Sequence, residues 1–196
     1  MDIEFTELRR LPDRELLHRV VGDGALGITS LARAFGLQLG DDTGYMSGSG
    51  HQLLLCAREL MSRALAESIQ CRPTLGQPRA VQDFLRLKIG GLPYECFWVL
   101  FMDSQVRLIR AEELFRGTLT QTSVYPREIV KRALHFNAAS VILAHNHPSG
   151  ISQPSRADEA LTNAIKACLS LVDVRVLDHI IVGEGESASM AAMGLM

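Results

Sequence analysis

Hydrophobic residues in the first third of the chain recur every three or four positions, the spacing of one helix face. The pattern predicts helices at residues 15–21, 28–37 and 51–69. Glycines separate the first two, and a polar, glycine-rich segment at 41–50 precedes the third. Residues 1–69 are therefore predicted to form a small helical N-terminal region.

The pattern changes after residue 69. Residues 70–77 include a proline and a glycine and are typical of a linker. Beyond them, short continuous apolar runs alternate with segments of helical periodicity. This alternation predicts an α/β domain at 78–196 with a mixed sheet flanked by helices. The predicted strands are 95–102, 106–115, 139–144 and 174–182, and the predicted helices are 78–89, 125–136 and 155–171.

The composition is that of a globular protein with a substantial core: 47% of the residues are hydrophobic and 21% are charged. A formal net charge of −2 gives no overall electrostatic attraction for nucleic acid or an anionic membrane. No apolar stretch is long enough for a membrane span, and the acidic N-terminal segment does not resemble a signal peptide, so a cytoplasmic location is expected. The four cysteines form no CxxC pair, which predicts neither a zinc knuckle nor a disulfide framework.

The candidate chemistry lies where the predicted strand 139–144 ends. His145 and His147 follow it two residues apart, so their imidazoles point to the same side. Ser155 then opens the next predicted helix, and Asp158 falls in its first turn. Two imidazoles and a carboxylate match a catalytic zinc site with a position left for water. Taken alone, the histidine pair is also typical of a polar strand end, and Ser155 with Asp158 fits a capping box.

The full spacing resembles a known family signature. His145-x-His147, seven residues, Ser155, two residues and Asp158 resemble the motif of the JAMM (JAB, MPN+) metallopeptidases. AHNHPSG, PSRAD and LDHIIVG at 177–183 resemble the RadC family of bacterial proteins, from about residue 78 onward. The resemblance implies a JAMM/MPN fold with cytidine-deaminase-like layering. It also implies one Zn²⁺ per chain, held by His145, His147 and Asp158.

The resemblance further implies two catalytic residues. Glu95, at the head of a predicted strand, matches the family's general base, although an acid there is also typical of a solvated strand end. Ser155 matches the hydroxyl that steadies the bound water or oxyanion. Asp178 and His179 lie in the string LDHIIVG without an assigned role. His179 either orients a neighbour or satisfies a buried polar contact.

The resemblance implies a zinc-dependent hydrolase of the metallopeptidase type, acting on a peptide or isopeptide bond in a protein or peptide substrate. The alternative is a DNA-repair-associated accessory protein, because residues 11–24 and Gly48-Ser49-Gly50 resemble a shortened, degenerate helix-hairpin-helix segment. Residues 1–69 hold ten acidic and seven basic residues, which disfavours phosphate binding. A packing or homodimerising role for this region therefore ranks ahead of DNA binding. A metal-dependent nuclease ranks last, since only one metal site is predicted.

Overall fold

The computed structural model describes residues 11–22, 35, 49–71, 78–117 and 123–196. Five helices and five strands occur in these parts of the chain. The helices are α1 (Asp13–Val21), α2 (Ser49–Cys71), α3 (Pro78–Ile89), α4 (Pro126–His135) and α5 (Arg156–Ser170). The strands are β1 (Cys96–Met102), β2 (Leu108–Arg116), β3 (Ser140–Asn146), β4 (Arg175–Val182) and β5 (Ser187–Ser189).

The strands form one mixed sheet in the order β2-β1-β3-β4-β5. Neighbouring strands are antiparallel except for β3 and β4, which are parallel and connected through α5. The two central strands, β1 and β3, are almost entirely buried; β1 is apolar throughout, and β3 is apolar from Val141 to Ala144. Such continuous apolar runs are expected where helices cover both faces of a sheet.

Each face of the sheet carries its own hydrophobic core. Helices α2 and α3 pack on one face, and α4 and α5 pack on the other. The first core includes Ile69, Val81, Phe84, Leu85, Ile89, Leu100, Met102, Ile142, Ala144, Ile180 and Val182. The second includes Phe97, Val99, Phe101, Ile129, Ala133, Val141, Leu143, Ile165 and Leu169. The predicted α/β class with a mixed sheet is therefore confirmed.

Two details of the sheet differ from the prediction. Strand β2 begins at Leu108 rather than at residue 106, because the Asp103 carboxylate accepts hydrogen bonds from two turn amides and Val106 adopts a left-handed conformation with φ of 59°. Strand β5 was not predicted, since its three small residues carry no hydrophobic pattern. It pairs with β4, and the Ser189 hydroxyl donates to the Asp178 carboxylate over 2.6 Å.

In the N-terminal region, α1 and α2 occupy positions where helices were predicted. Helix α2 is longer than expected, so Ser49 and Gly50 of the proposed hairpin and the first two linker residues are helical. Most of the predicted helix 28–37 and residues 72–77 lie outside the described parts of the chain. Ile69 of α2 is buried in the core under α3. The division into 1–69, 70–77 and 78–196 stays a prediction.

Helix α2 is the longest of the described helices, with 23 residues. Its exposed residues include the apolar Leu60 and Met61 and the charged Arg63, while Arg58 is half-buried and donates to the Leu87 carbonyl at the end of α3. Among the described helices, none has both the length and the apolar character needed to cross a membrane.

We expect replacement of a buried residue of β1 to lower stability strongly. Leu100 is 0% exposed, so Leu100→Ala removes buried apolar volume and leaves a cavity costing about 2–5 kcal/mol. Leu171→Ala is the matched control, because Leu171 is 85% exposed. Urea denaturation followed by circular dichroism measures both free energies of unfolding. Equal losses for the two variants would contradict the assignment of β1 to the core.

Candidate metal centre

The two histidines leave the carboxyl end of the central strand β3. His145 is the penultimate residue of β3, and His147 follows directly after its end. The backbone amide of His147 still donates to the Val182 carbonyl of β4 over 2.9 Å, so the extended backbone continues to His147. Side chains two residues apart in extended backbone share a face. Both imidazoles therefore point to the face covered by α5.

Asp158 completes a group of three side chains. The two Nε2 atoms lie 2.9 Å apart. The carboxylate places Oδ1 3.2 Å from Nε2 of His145 and Oδ2 3.6 Å from Nε2 of His147. The side chains are 2%, 19% and 13% exposed for His145, His147 and Asp158. Within the described residues, these three form a group that could hold a metal ion.

The hydrogen bond of His147 identifies which of its nitrogens faces the group. Nδ1 lies 2.7 Å from the carbonyl oxygen of Ile151. A carbonyl oxygen only accepts, so Nδ1 carries the hydrogen and Nε2 of the neutral ring keeps its lone pair. That lone pair and the Asp158 oxygens face the same small space. Such a set of electron-rich atoms fits a cation.

The ionisation states of Asp158 and His147 also favour a cation site. Burial opposes ionisation of Asp158, but the imidazoles of His145 and His147 beside its oxygens favour the carboxylate more strongly and hold the pKa of Asp158 well below the usual range. The Asp158 carboxylate beside the ring raises the pKa of His147 despite the desolvation of the ring. Asp158 is therefore a carboxylate at neutral pH, as a metal ligand must be.

The capping box and the ligand arrangement occur together. Ser155 is the N-cap of α5, and its hydroxyl accepts from the Asp158 amide over 3.2 Å. The Asp158 carboxylate accepts in return from the Ser155 amide over 2.7 Å and from its hydroxyl over 2.6 Å, both at Oδ2. Oδ1 is left facing His145. The cap thus fixes the orientation of Asp158, while a catalytic role for Ser155 stays a prediction.

Glu95 directly precedes β1 and lies close to this group. In the antiparallel pairing of β1 with β3, Phe97 is opposite His145. Continuing the register by two residues places Glu95 beside His147. The pKa of His147 is raised first by the Asp158 carboxylate and also by the charge of Glu95, in agreement with this position. The role of Glu95 as a general base stays a prediction.

Asn146, between the two histidines, points to the opposite face and holds the start of β1. Its Oδ1 accepts from the amide of Cys96 over 2.8 Å, and its Nδ2 donates to the Tyr94 carbonyl over 2.9 Å. These two backbone groups flank Glu95 in the sequence. Asn146 therefore connects the strand that carries the histidines to the segment that carries Glu95. Sequence reasoning missed this role, since it depends on the pairing of β1 with β3.

The Cys96 thiol lies on the same buried side as Asn146. Its sulfur is 3.1 Å from Oδ1 of Asn146, to which the thiol donates. Burial raises the pKa of Cys96 to about 12. The thiol therefore stays protonated at neutral pH, and it points away from the histidines. Its role is structural.

The string LDHIIVG supports the site from the neighbouring strand β4. Asp178 accepts hydrogen bonds from the backbone amides of His179 and Ala191, which holds the C-terminal segment against β4. A side chain at Gly183 would come within 2.4 Å of the Gly150 carbonyl oxygen. Only glycine lets the loop after His147 pack this closely on β4.

His179 is a residue of the site to which the sequence assigned no role. It is fully buried, and its Nε2 lies 2.8 Å from Nδ1 of His145. Desolvation lowers the pKa of His179 well below its ordinary value. The Nδ1 of His179 lies 2.6 Å from the hydroxyl of Thr162, one helical turn after Asp158. The spacing of Asp158 and Thr162 by four residues was the one sequence signal for this contact.

A mixed sheet with helices on both faces, and a His-His-Asp group where its central strand ends, defines a JAB/MPN-type α/β domain. A family model described as "RadC-like JAB domain" matches residues 75–195. The chain belongs to this RadC-like JAB family, and the resemblance found in the sequence is confirmed.

Relatives from several bacteria are similar over most of the chain. A protein of Variovorax paradoxus is 49% identical over 95% of this chain and 90% of its own length. One from Acidovorax sp. strain JS42 is 52% identical over 93% of this chain and 80% of its own length. One from Polaromonas sp. is 62% identical over 73% of this chain, but that match spans only 64% of the Polaromonas protein. All three are named UPF0758 protein, a name that states no activity.

We expect Asn146→Ala to destabilise the protein, because it removes the partners of a buried amide and a carbonyl at the start of β1. Each buried group left unpaired costs about 1–3 kcal/mol. Asn163→Ala on the exposed side of α5 is the control, with a change within about 0.5 kcal/mol. Urea denaturation measures the free energy of unfolding of both variants. Similar small effects would mean that Asn146 does not hold the start of β1.

Proposed function

We propose that this protein is a zinc-dependent hydrolase of the JAMM metallopeptidase type that cleaves an amide bond in a protein or peptide. The observation that carries the proposal is the convergence of His145, His147 and Asp158 with their ligand atoms facing one another. Membership of the RadC-like JAB family supports it. The substrate is expected to present a peptide or isopeptide bond.

The donor set favours zinc over other common ions. Two imidazole nitrogens and one carboxylate oxygen are typical of catalytic zinc sites, which leave a fourth position for water. Magnesium and calcium prefer sites made of oxygen atoms alone. We therefore propose that one Zn²⁺ binds per chain, held by His145, His147 and Asp158.

In the proposed reaction, a bound Zn²⁺ would supply a Lewis acid that acidifies water and polarises the substrate carbonyl. Glu95 accepts the proton of the attacking water and returns it to the leaving nitrogen, so that no free amide anion forms. The position of Glu95 beside His147 supports this role. Ser155, whose hydroxyl donates to Asp158 in the structure, is proposed to redirect that hydrogen to the oxygen on which negative charge develops.

The remaining alternatives are weaker. A DNA-repair accessory role would depend on the N-terminal region, where Ser49 and Gly50 of the candidate hairpin form the start of helix α2. The acidic balance of residues 1–69 disfavours phosphate contacts. Homodimerisation through this region and a cytoplasmic location stay predictions.

The ligand assignment predicts the metal content of the purified protein. Protein prepared without chelators should hold about one zinc per chain, and the double variant His145→Ala, His147→Ala should hold almost none, because two of three ligands are lost. His135→Ala is the control, since His135 is exposed on α4. Elemental analysis by mass spectrometry measures the zinc content per chain in all three proteins. A folded natural chain without zinc would contradict the assignment.

The base assignment predicts a separate effect on turnover. Glu95→Gln should keep its zinc but lose about 100- to 10,000-fold in cleavage rate, because the amide cannot accept a proton. Glu113→Gln on β2 is the control. A peptide-library digest analysed by mass spectrometry, with metal content checked in each sample, identifies the cleaved bonds and their rates. Cleavage unchanged in Glu95→Gln would remove Glu95 from the mechanism.

A further inference from the structure

A line of buried hydrogen bonds connects two of the three ligand residues behind the metal centre. The Thr162 hydroxyl donates to the Asp158 backbone carbonyl over 2.6 Å. The same hydroxyl oxygen lies 2.6 Å from Nδ1 of His179. Nε2 of His179 then lies 2.8 Å from Nδ1 of His145. We call these residues, Asp158, Thr162, His179 and His145, the relay.

Counting hydrogens along the relay determines where each proton lies. A threonine hydroxyl has one hydrogen, and the Asp158 carbonyl can only accept it. Towards His179 the hydroxyl oxygen can therefore only accept, so Nδ1 of His179 carries a hydrogen. His179 is fully buried, and its ring contacts His145, Thr162 and Phe97, none of which carries a negative charge to pair with an imidazolium, so Nε2 of His179 keeps a lone pair. The hydrogen between the two rings must then come from Nδ1 of His145.

We propose that Thr162 and His179 are positioning residues that hold His145 in the tautomer protonated on Nδ1, with the lone pair of Nε2 directed at the cation site. The inference rests on the proposed function, because it concerns the same centre. It adds a residue from α5 and one from β4 that touch neither the ion nor the substrate. The backbone of one ligand, Asp158, thereby sets the proton position of another, His145.

The packing around the relay leaves no substitute for these contacts. Thr162 and His179 are both 0% exposed. The ring of Phe97 stacks on His145 at 6.1 Å between centroids and meets His179 edge-on at 5.5 Å. The buried Met190 lies on the other side, with its sulfur 3.7 Å from the Thr162 hydroxyl. The proton positions are therefore set by these residues rather than by solvent.

The opposite tautomer would be incompatible with metal binding. A hydrogen on Nε2 of His145 would point towards Nε2 of His147, only 2.9 Å away, and would occupy the lone pair that the ion needs. Loss of the Thr162 acceptor permits this state, because His179 is then free to carry its hydrogen on Nε2 and donate it to His145. The hydroxyl of residue 162 therefore controls the metal affinity.

The test compares Thr162→Val, which keeps the shape and loses the hydroxyl, with Thr162→Ser, which keeps the hydroxyl. Ser170→Ala is the control, because its hydroxyl donates to a carbonyl of the same helix at its exposed end. Nitrogen-15 NMR of the histidine rings in metal-free protein at about pH 8 identifies the tautomer of His145. Competition with a zinc-binding dye measures the affinity for zinc alone.

We expect Nδ1–H on His145 in the natural chain, in Thr162→Ser and in Ser170→Ala, and its loss in Thr162→Val. Zinc affinity should fall about 10- to 100-fold in Thr162→Val alone, the usual effect of removing a group that orients a ligand. His179→Gln, whose amide oxygen can still accept from His145, should bind zinc more tightly than His179→Phe. These paired variants test the same claim if Thr162→Val does not fold.

An unchanged tautomer together with unchanged zinc affinity in Thr162→Val would overturn the relay while leaving the proposed hydrolase intact. A natural chain that binds no zinc would instead refute the proposed function. The relay would then be judged by the NMR signals alone, which require no metal. The two failures are therefore distinguishable.

Discussion

The site depends on the pairing of β3 with a different neighbour on each side. The antiparallel register with β1 places Phe97 opposite His145, and the parallel register with β4 places His179 opposite Leu143. A shift of one residue in either pairing would turn the histidines to the other face of the sheet. The apolar side chains of β3, buried on both faces, make such a shift costly. The hydrophobic core and the chemistry are thus fixed by the same strand.

The centre contains polar groups that would be costly to bury without partners. Here each one has a partner: the capping box satisfies Asp158, the Ile151 carbonyl orients His147, and His179 contacts His145. The bonds leave the remaining lone pairs on one side, facing one another. A folded protein retains such mutual repulsion only where a positive charge offsets it, and a proton or a metal ion can do so. This is the physical reason to interpret the group as a cation site.

The sequence was sufficient for the elements and for the ligand candidates, because both depend on local patterns. Alternating apolar runs located the strands, and the spacing from His145 to Asp158 identified the family. The contacts between distant segments could not be predicted from the sequence. Asn146 acts through a segment 50 residues away, and His179 acts through α5 as well as β3. Strand β5 escaped prediction because Asp178 rather than a hydrophobic pattern holds it in place.

The central claim is that His145, His147 and Asp158 hold one zinc ion with an open position. X-ray absorption at the zinc edge, measured on protein loaded with one equivalent, tests this claim most directly. We expect four nitrogen or oxygen neighbours at about 2.0–2.1 Å, with the multiple scattering of two imidazoles. Sulfur neighbours at about 2.3 Å would place the ion at cysteines instead and would contradict it.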